Sequence, residues 1–114
     1  MIKIITKADL ENCIYKVRNA GDKERIDDKY NQASVLVLFI NDDVQKTSTI
    51  LMIKRRNNLR KHAGQIAFPG GRKEKEDSNL EETAKRETEE EINISSEKYN
   101  IVGSFPKFFT GTGY

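Results

Sequence analysis

The fold is decided by Pro69 to Ile94, PGGRKEKEDSNLEETAKRETEEEINI. This stretch opens with a proline and a pair of glycines, where a chain turns and where backbone can approach a ligand closely. A charged loop follows. Asn79 then begins a helix and Asn93 ends it, because asparagine is favoured at both kinds of helix boundary. The sequence therefore predicts a tight turn that leads through a loop into a charged helix.

Three glutamates of this helix share one face. Glu87, Glu90 and Glu91 are spaced i, i+3 and i+4, and at about 100° per residue they fall within one arc of roughly 100°. The same side carries the residues expected to meet the core, which are Leu80, Thr83, Ala84 and Ile94. The side that points away carries Glu82, Lys85 and Glu89. The core-facing stripe of the helix thus runs into a cluster of carboxylates.

Two interpretations of the carboxylate cluster are open. Most runs of glutamate are the solvated face of a surface helix. A divalent-metal site is favoured here, because half-buried carboxylates repel one another and lose hydration unless a cation balances them. Hard oxygen ligands on a rigid helix suit Mg²⁺ or Mn²⁺. We therefore expect one of these ions as the cofactor.

Composition limits the class of protein. The chain has 114 residues, of which 36% are hydrophobic and 33% are charged, as expected for one soluble domain with a modest core. A net charge of +2 is too small to predict nucleic acid as a partner. No apolar run has membrane-spanning length, and no signal peptide is expected. Cys13 is the single cysteine, which favours a reducing, cytoplasmic location.

The N-terminal residues predict a helix followed by a connector. Thr6 to Ala20 has the spacing of a capping box at Thr6 and Asp9. Its apolar stripe consists of Leu10, Cys13, Ile14 and Val17. On this stripe Cys13 is expected to be a small core residue rather than a nucleophile. We expect residues 1–32 to hold this helix and a polar connector.

Three strands are predicted beside the two helices. Ala33 to Ile40, ASVLVLFI, is continuously apolar and predicts a buried central strand. A turn begins at Asn41, and Thr49 to Lys54 is the expected hairpin partner. Tyr99 to Phe105 predicts a further strand. The predicted elements therefore run in the order helix, strand, strand, helix, strand.

A basic segment, Arg55 to Ala67, leads directly into the glycine pair. Alone it is typical of a solvated loop. Its position places cationic side chains beside the acidic helix, as an extended, multiply phosphorylated substrate requires. These side chains are Arg55, Arg56, Arg60, Lys61 and His62. His62 is open to three roles, as an acid/base group, a substrate contact or a local structural residue.

The order of residues in the acidic helix resembles a known pattern. Arg86 to Ile94, RETEEEINI, resembles the second half of the Nudix box, R-E-U-x-E-E-x-G-U with U apolar, and Gly70-Gly71 stands where that box begins. Thr88 replaces the apolar residue and Asn93 replaces the glycine. The loop before Arg86 is one residue longer than usual, so the mid-box glutamate falls near Asp77 or Ser78.

The preceding residues resemble one Nudix subfamily, the coenzyme A pyrophosphatases. Leu59 to Gly71, LRKHAGQIAFPGG, with Arg55 upstream, is similar to the signature before the box in that subfamily. The subfamily also has the longer loop, an aspartate where Asp77 stands and a Thr-Ala pair like Thr83-Ala84. The departure from the general box is thus a match to the subgroup.

The resemblance implies a fold, with residues 33–114 as the N-terminal part of a Nudix domain. That domain is an α/β/α sandwich around a mixed sheet, and here it is expected to be incomplete at the C-terminus. Because the apolar run of residues 33–40 would lack cover, we expect self-association or a complementing C-terminal segment as a partner.

The resemblance also implies a function, the metal-dependent hydrolysis of a diphosphate linkage in coenzyme A or acyl-coenzyme A. Glu87 and Glu91 are the expected metal ligands, with Glu90 a further ligand or a base and the Gly70 carbonyl completing the set. Arg86 is expected to orient the glutamates through contacts with Glu82 and Glu90 at i±4. The expected substrate contacts are Arg55, Arg60, His62, Gln65 and Gly71. The alternatives are another nucleoside diphosphate derivative such as ADP-ribose, or an inactive remnant.

Overall fold

The structure is a computed structural model that describes residues 4–20, 31–54 and 64–107. Two α-helices and six short strands are described, in the order α1 (Lys7–Ala20), β1 (Ala33–Val35), β2 (Phe39–Asp42), β3 (Thr47–Ile50), β4 (Ile53–Lys54), β5 (Ile66–Ala67), β6 (Gly70–Arg72) and α2 (Leu80–Ile92). A 3₁₀ turn, Ser96–Lys98, follows α2. The predicted mixed α/β class is confirmed. Neither described helix is both long and apolar enough to cross a membrane.

The strands form three antiparallel pairs, β1 with β6, β2 with β3, and β4 with β5. The prediction of one continuous buried strand from Ala33 to Ile40 is wrong. The chain changes partner within this run: the Leu36 amide donates to the Pro69 carbonyl (2.8 Å), whereas the Leu38 carbonyl accepts from the Leu51 amide (3.0 Å). Within the run Leu36 is buried, while Val35 and Ile40 are exposed.

The hairpin of β2 and β3 is shifted from its predicted position. Its register runs from Phe39 opposite Ile50 to Asp42 opposite Thr47, so the partner strand begins and ends earlier than Thr49 to Lys54. The Asp42 side chain accepts from the amides of the two following turn residues, Val44 (2.9 Å) and Gln45 (3.1 Å). Such local bonds fix the turn. Residues 53 and 54 pair instead with β5.

Helix α1 begins as its capping box predicts. The Thr6 amide donates to Asp9 Oδ2 (2.9 Å) and the Asp9 amide donates to Thr6 Oγ1 (3.2 Å). The prediction that Cys13 lies in the core is wrong, because Cys13 is exposed. The neighbouring Ile14 is half-buried and faces Gly103. A helix rotates by about 100° per residue, so Ile14 turned inward leaves Cys13 outside.

Helix α2 has the predicted boundaries. Asn79 caps its start, with the side-chain oxygen accepting from the Glu82 amide (2.8 Å). Asn93 ends it in the left-handed conformation, at φ 57° and ψ 36°. The helix packs on β1 and β6, and its buried residues are Thr83, Ala84 and Thr88. This packing fixes the acidic face of α2 against the strand that carries the glycine pair.

The strand predicted from Tyr99 to Phe105 does not form in the described part of the chain, where these residues follow the 3₁₀ turn as irregular backbone. None of the described strands is paired with them. The predictions for residues 55–63, for most of the connector and for residues 108–114 lie outside the described residues.

Candidate functional site

The site is built around the guanidinium group of Arg86. All five of its N–H groups donate hydrogen bonds, and these bonds hold the group in place. Nε donates to Asp77 Oδ1 (2.9 Å), and Nη2 donates to Asp77 Oδ2 (3.0 Å) and to the Arg72 carbonyl (3.0 Å). Nη1 donates to Glu87 Oε1 (3.1 Å) and to the Glu90 carboxylate (3.3 Å to each oxygen). Arg86 therefore ties the loop, strand β6 and helix α2 to one point.

Asp77 is the buried partner that anchors this guanidinium. It accepts two parallel bonds from Arg86, together with bonds from the Glu74 amide (2.9 Å) and from Thr83 Oγ1 (2.9 Å). These bonds, the one from Arg86 first, hold the pKa of Asp77 well below its usual range, although burial opposes the shift. The same carboxylate raises the pKa of Arg86 above its ordinary value. Asp77 and Arg86 thus form a charged pair at neutral pH.

Glu87 lies directly beneath the glycine pair. A Cβ atom on Gly71 would stand 2.5 Å from Glu87 Cδ and 2.7 Å from Oε1, so the carboxylate occupies space that a side chain at residue 71 would take. Gly71 pairs with Ser34, and cross-strand partners project to the same face, so this face of the β1–β6 pair looks onto α2. The glycine pair is needed here for close approach.

Gly70 directs its backbone polar groups away from β1. The Lys73 amide bonds the Gln32 carbonyl and the Leu36 amide bonds the Pro69 carbonyl, two residues to either side of the Ser34–Gly71 pair. Antiparallel pairs alternate between hydrogen-bonded and non-hydrogen-bonded. Gly70, opposite Val35, is therefore in a non-hydrogen-bonded pair. Its carbonyl is not used by β1.

The three predicted metal ligands differ in their surroundings. Glu87 is half-buried and Glu90 and Glu91 are exposed, each with an interaction within the protein. In residues 4–20, 31–54 and 64–107, no three carboxylate, imidazole or thiol side chains converge closely enough to hold a metal ion. The Glu90 carboxylate is directed instead to Arg86. The predicted metal set stays a prediction.

Comparison with known proteins identifies the family. The NUDIX domain matches residues 30–114, which include β1 to β6, the anchored loop and α2. This chain belongs to the NUDIX family.

Several relatives carry the same printed name, "Uncharacterized Nudix hydrolase NudL". That of Pectobacterium atrosepticum is 43% identical over 83 residues, or 73% of this chain and 42% of the relative. That of Yersinia enterocolitica is 44% identical over 66 residues, or 58% and 34%. That of Photorhabdus laumondii is 37% identical over 91 residues, or 80% and 47%. The chain spans less than half the length of these relatives.

The departures of this chain from the general Nudix box are accommodated by local structure. Thr88, in place of an apolar residue, is fully buried, and its hydroxyl donates to the Ala84 carbonyl (2.7 Å). This bond satisfies the hydroxyl and leaves the rest of the side chain to pack as valine would. Asn93, in place of glycine, adopts the left-handed conformation that ends α2. Neither substitution disturbs the helix that carries the box.

The sequence analysis missed one contact of the NUDIX site and predicted another wrongly. The hydroxyl of Thr83 serves as a donor to Asp77, although the helical projection assigned Thr83 to the core. Arg86 contacts Glu90 as predicted from the i+4 spacing, but not Glu82, which lies near Lys85 (3.7 Å). A buried threonine on an otherwise apolar stripe, next to an aspartate in the preceding loop, was the available signal.

The predicted substrate contacts fall mainly outside the described residues. Arg55, Arg60 and His62 belong to residues 55–63, about which the structure gives no position. Gln65 is exposed and makes an interaction within the protein. Gly71 is the one predicted contact placed beside Glu87. Their roles in binding substrate stay predictions.

Proposed function

We propose that this NUDIX domain hydrolyses the diphosphate linkage of coenzyme A or an acyl-coenzyme A in the cytoplasm, giving a phosphopantetheine and adenosine 3′,5′-bisphosphate. The observation that carries the chemistry is the position of Glu87, which lies under Gly71 and is bonded to the anchored Arg86. The sequence of residues 59–71, with its resemblance to coenzyme A pyrophosphatases, carries the substrate.

The residues present fit a divalent cation. Glu87, Glu90 and Glu91 and the Gly70 carbonyl offer only oxygen atoms, the donors that Mg²⁺ and Mn²⁺ prefer. The Gly70 carbonyl is not used by β1, and the absence of a side chain at residue 71 leaves room for the Glu87 carboxylate. Once bound, the metal supplies neutralisation of charge on the diphosphate and activation of water.

The side chains have separate tasks in this proposal. Glu87 and Glu91 hold the metal, and Glu90 either joins them or accepts a proton from the attacking water at its carboxylate. Arg86 is assigned no contact with the substrate, because Nε and Nη2 are held by Asp77 and the Arg72 carbonyl and Nη1 is bonded to Glu87. It positions Glu87 instead. Since phosphoryl-group chemistry depends chiefly on positioning and charge, a fixed Glu87 is the main requirement.

The basic segment, Arg55 to Ala67, is the basis for the proposed class of substrate. Coenzyme A presents a diphosphate and a separate 3′-phosphate, and several cations are needed to match them. Arg55, Arg60 and His62, together with Gln65, stand between β4 and β6 in the sequence, next to the glycine pair. ADP-ribose has the diphosphate but no 3′-phosphate. This difference separates the proposal from its main alternative.

A substrate panel tests the proposal. Coenzyme A, acetyl-coenzyme A and ADP-ribose are compared with Mg²⁺ or Mn²⁺, in wild type and in the variants Arg60→Ala and His62→Ala. Losing one charge-assisted hydrogen bond costs about 1.5–3 kcal/mol, or roughly 10–150-fold in kcat/KM, and we expect this loss on coenzyme A and a smaller one on ADP-ribose. Lys75→Ala, in the exposed loop before α2, is the matched control and is expected to change neither substrate.

Two results would replace this proposal by its alternatives. Equal losses on coenzyme A and ADP-ribose would assign the activity to another nucleoside diphosphate derivative. Binding of Mn²⁺ without hydrolysis of any of the three compounds would indicate an inactive remnant.

A further inference from the structure

Two sides of the Arg86 guanidinium are bonded to acceptors with fixed positions, one a buried carboxylate and the other a backbone carbonyl. Asp77 takes Nε and one hydrogen of Nη2, and its side chain is 5% exposed. The second hydrogen of Nη2 goes to the backbone carbonyl of Arg72, in β6. A bidentate pair with a buried carboxylate, reinforced by a backbone acceptor, leaves the cation one orientation.

The third side of the guanidinium faces two glutamates of unequal freedom. Nη1 bonds Glu87 Oε1 at 3.1 Å and both oxygens of Glu90 at 3.3 Å. The Glu87 side chain is 18% exposed and is enclosed by Gly71, whereas the Glu90 side chain is 59% exposed. Glu90 also borders an open groove beside the loop. Of the two carboxylates, Glu90 is the one with room to turn.

We propose that Glu90 is bonded to Arg86 when no metal is present, and that a divalent metal displaces Arg86 from Glu90 when it binds. This inference rests on the proposed metal-dependent function. Both Glu90 oxygens bond the single nitrogen Nη1, so the open edge of the carboxylate faces Arg86, and Glu90 must turn to present that edge to a metal. Arg86 stays with Asp77, so the exchange is made by Glu90. Arg86 is thus a positioning residue that keeps Glu87 in place and releases Glu90.

The charge balance of the exchange supports this assignment. In the described arrangement Arg86 neutralises part of the Asp77, Glu87 and Glu90 charge. When Glu90 turns to a metal, the guanidinium keeps two carboxylates, and Glu74 Oε1 already stands 3.7 Å from Nη1. The half-buried cation therefore retains its partners, and the divalent ion compensates the carboxylates it gathers.

A double-mutant cycle on thermal unfolding tests the exchange. The cycle uses Arg86→Met, Glu90→Gln and the double variant, in EDTA and in saturating Mn²⁺. In EDTA we expect Glu90→Gln to lower the unfolding midpoint by about 2 °C more when Arg86 is present than when it is replaced in the Arg86→Met variant. In Mn²⁺ this difference should vanish. The control cycle is Glu81→Gln with Lys85→Met, a pair at i, i+4 on the same helix (3.1 Å), whose coupling should be equal in both conditions.

The wild-type protein gives a second measurement that needs no folded Arg86 variant. With ¹⁵N-labelled arginine, addition of Mg²⁺ should speed exchange of the Nη1 protons while the Nε proton, bonded to Asp77, remains protected. Paramagnetic resonance of free Mn²⁺ tests binding separately. Bound Mn²⁺ with unchanged Arg86–Glu90 coupling and unchanged Nη1 protection would overturn this inference alone. No binding of Mn²⁺ would overturn both this inference and the proposed function.

Discussion

Two regions of the molecule differ in the kind of side chain that they bury. Residues 70–93, the site region, bury polar groups that are hydrogen-bonded, with Asp77, Thr83 and Thr88 almost or fully inaccessible. Residues 39–67, as far as they are described, form the strand region, and large apolar side chains there are exposed. These side chains are Ile40, Val44, Ile50, Met52 and Ile66. The region with the higher polarity is therefore the better enclosed one.

This difference indicates what fixes the geometry of the site. Each bond to Arg86 and Asp77 comes from residues 72–90, so the arrangement depends on contacts that are close in sequence. Removing one partner from such a buried polar network leaves the others unsatisfied, which costs more than the bond itself contributes. The strand region lacks a comparable network among its described residues, so we expect changes there to have smaller effects.

The largest expected effect is in the site region, on catalysis. We predict that Glu87→Gln lowers kcat by on the order of 10³-fold, because it removes the charge of a proposed metal ligand at a fixed position while keeping its shape. Glu91→Gln should have a similar effect. Glu89→Gln is the control, since Glu89 is exposed and the helical spacing predicts that it lies off the proposed metal face. Steady-state hydrolysis with Mg²⁺ measures all three. Equal sensitivity of Glu89 and Glu87 would show that the assignment of the metal face is wrong.

How well the sequence predicted each region depends on how far apart the contacting residues lie along the chain. The caps of α2 at Asn79 and Asn93 were predicted correctly, because capping involves residues at most four positions away. The contact of Arg86 with Glu90 followed from helical spacing, but its pair with Asp77 did not, because Asp77 lies in a loop. In the strand region, an unbroken apolar run carries no mark of the position at which a strand changes partner.

The second expected effect concerns stability and its dependence on pH. We predict that Asp77→Asn lowers the unfolding midpoint at pH 7 by about 5 °C or more, because Arg86 loses its buried counter-charge. The pKa of Asp77 is lowered from its ordinary value of 3.8 in the folded protein. Its contribution is therefore present above about pH 4 to 5 and is lost as pH falls further.

Unfolding of wild type and Asp77→Asn between pH 7 and about pH 2 checks this prediction. The difference between their midpoints should be constant down to about pH 5 and then shrink. Asp43→Asn, in the exposed turn between β2 and β3, controls for loss of a carboxylate elsewhere. A difference that stays constant down to pH 2 would contradict a salt-bridged Asp77.

The third expected effect separates two threonines within the site region. Thr83 and Thr88 are both fully buried on α2, but Thr83 donates to the Asp77 carboxylate (2.9 Å) and Thr88 to a helix carbonyl (2.7 Å). We predict that Thr83→Val costs about 1.5–3 kcal/mol of unfolding free energy, because it removes a donor from a buried charge. Thr88→Val should change it by less than about 1 kcal/mol, because that carbonyl is also an acceptor within the helix. Urea unfolding measures both. Equal costs would mean that burial alone decides the effect.

The smallest expected effect on stability is in the strand region, at Ile66. This side chain is 67% exposed and lies opposite Lys54 in the β4–β5 pair. We predict that Ile66→Glu changes the unfolding free energy by less than about 0.5 kcal/mol, since little apolar burial is lost and an opposite cross-strand charge is gained.

Self-association should respond more strongly than stability to the same substitution at Ile66. Exposed apolar side chains on short, unprotected strands favour contact between molecules, and a charge at such a position opposes it. Sedimentation velocity over a range of protein concentrations should therefore show less association for Ile66→Glu than for wild type. Val44→Glu is the control, because Val44 is 92% exposed but lies in a turn, where no strand edge is offered to a neighbour. If Val44→Glu reduced association as much as Ile66→Glu, net charge rather than the exposed strand edges would govern it. If neither did, the exposed apolar side chains of the strand region would have no part in association.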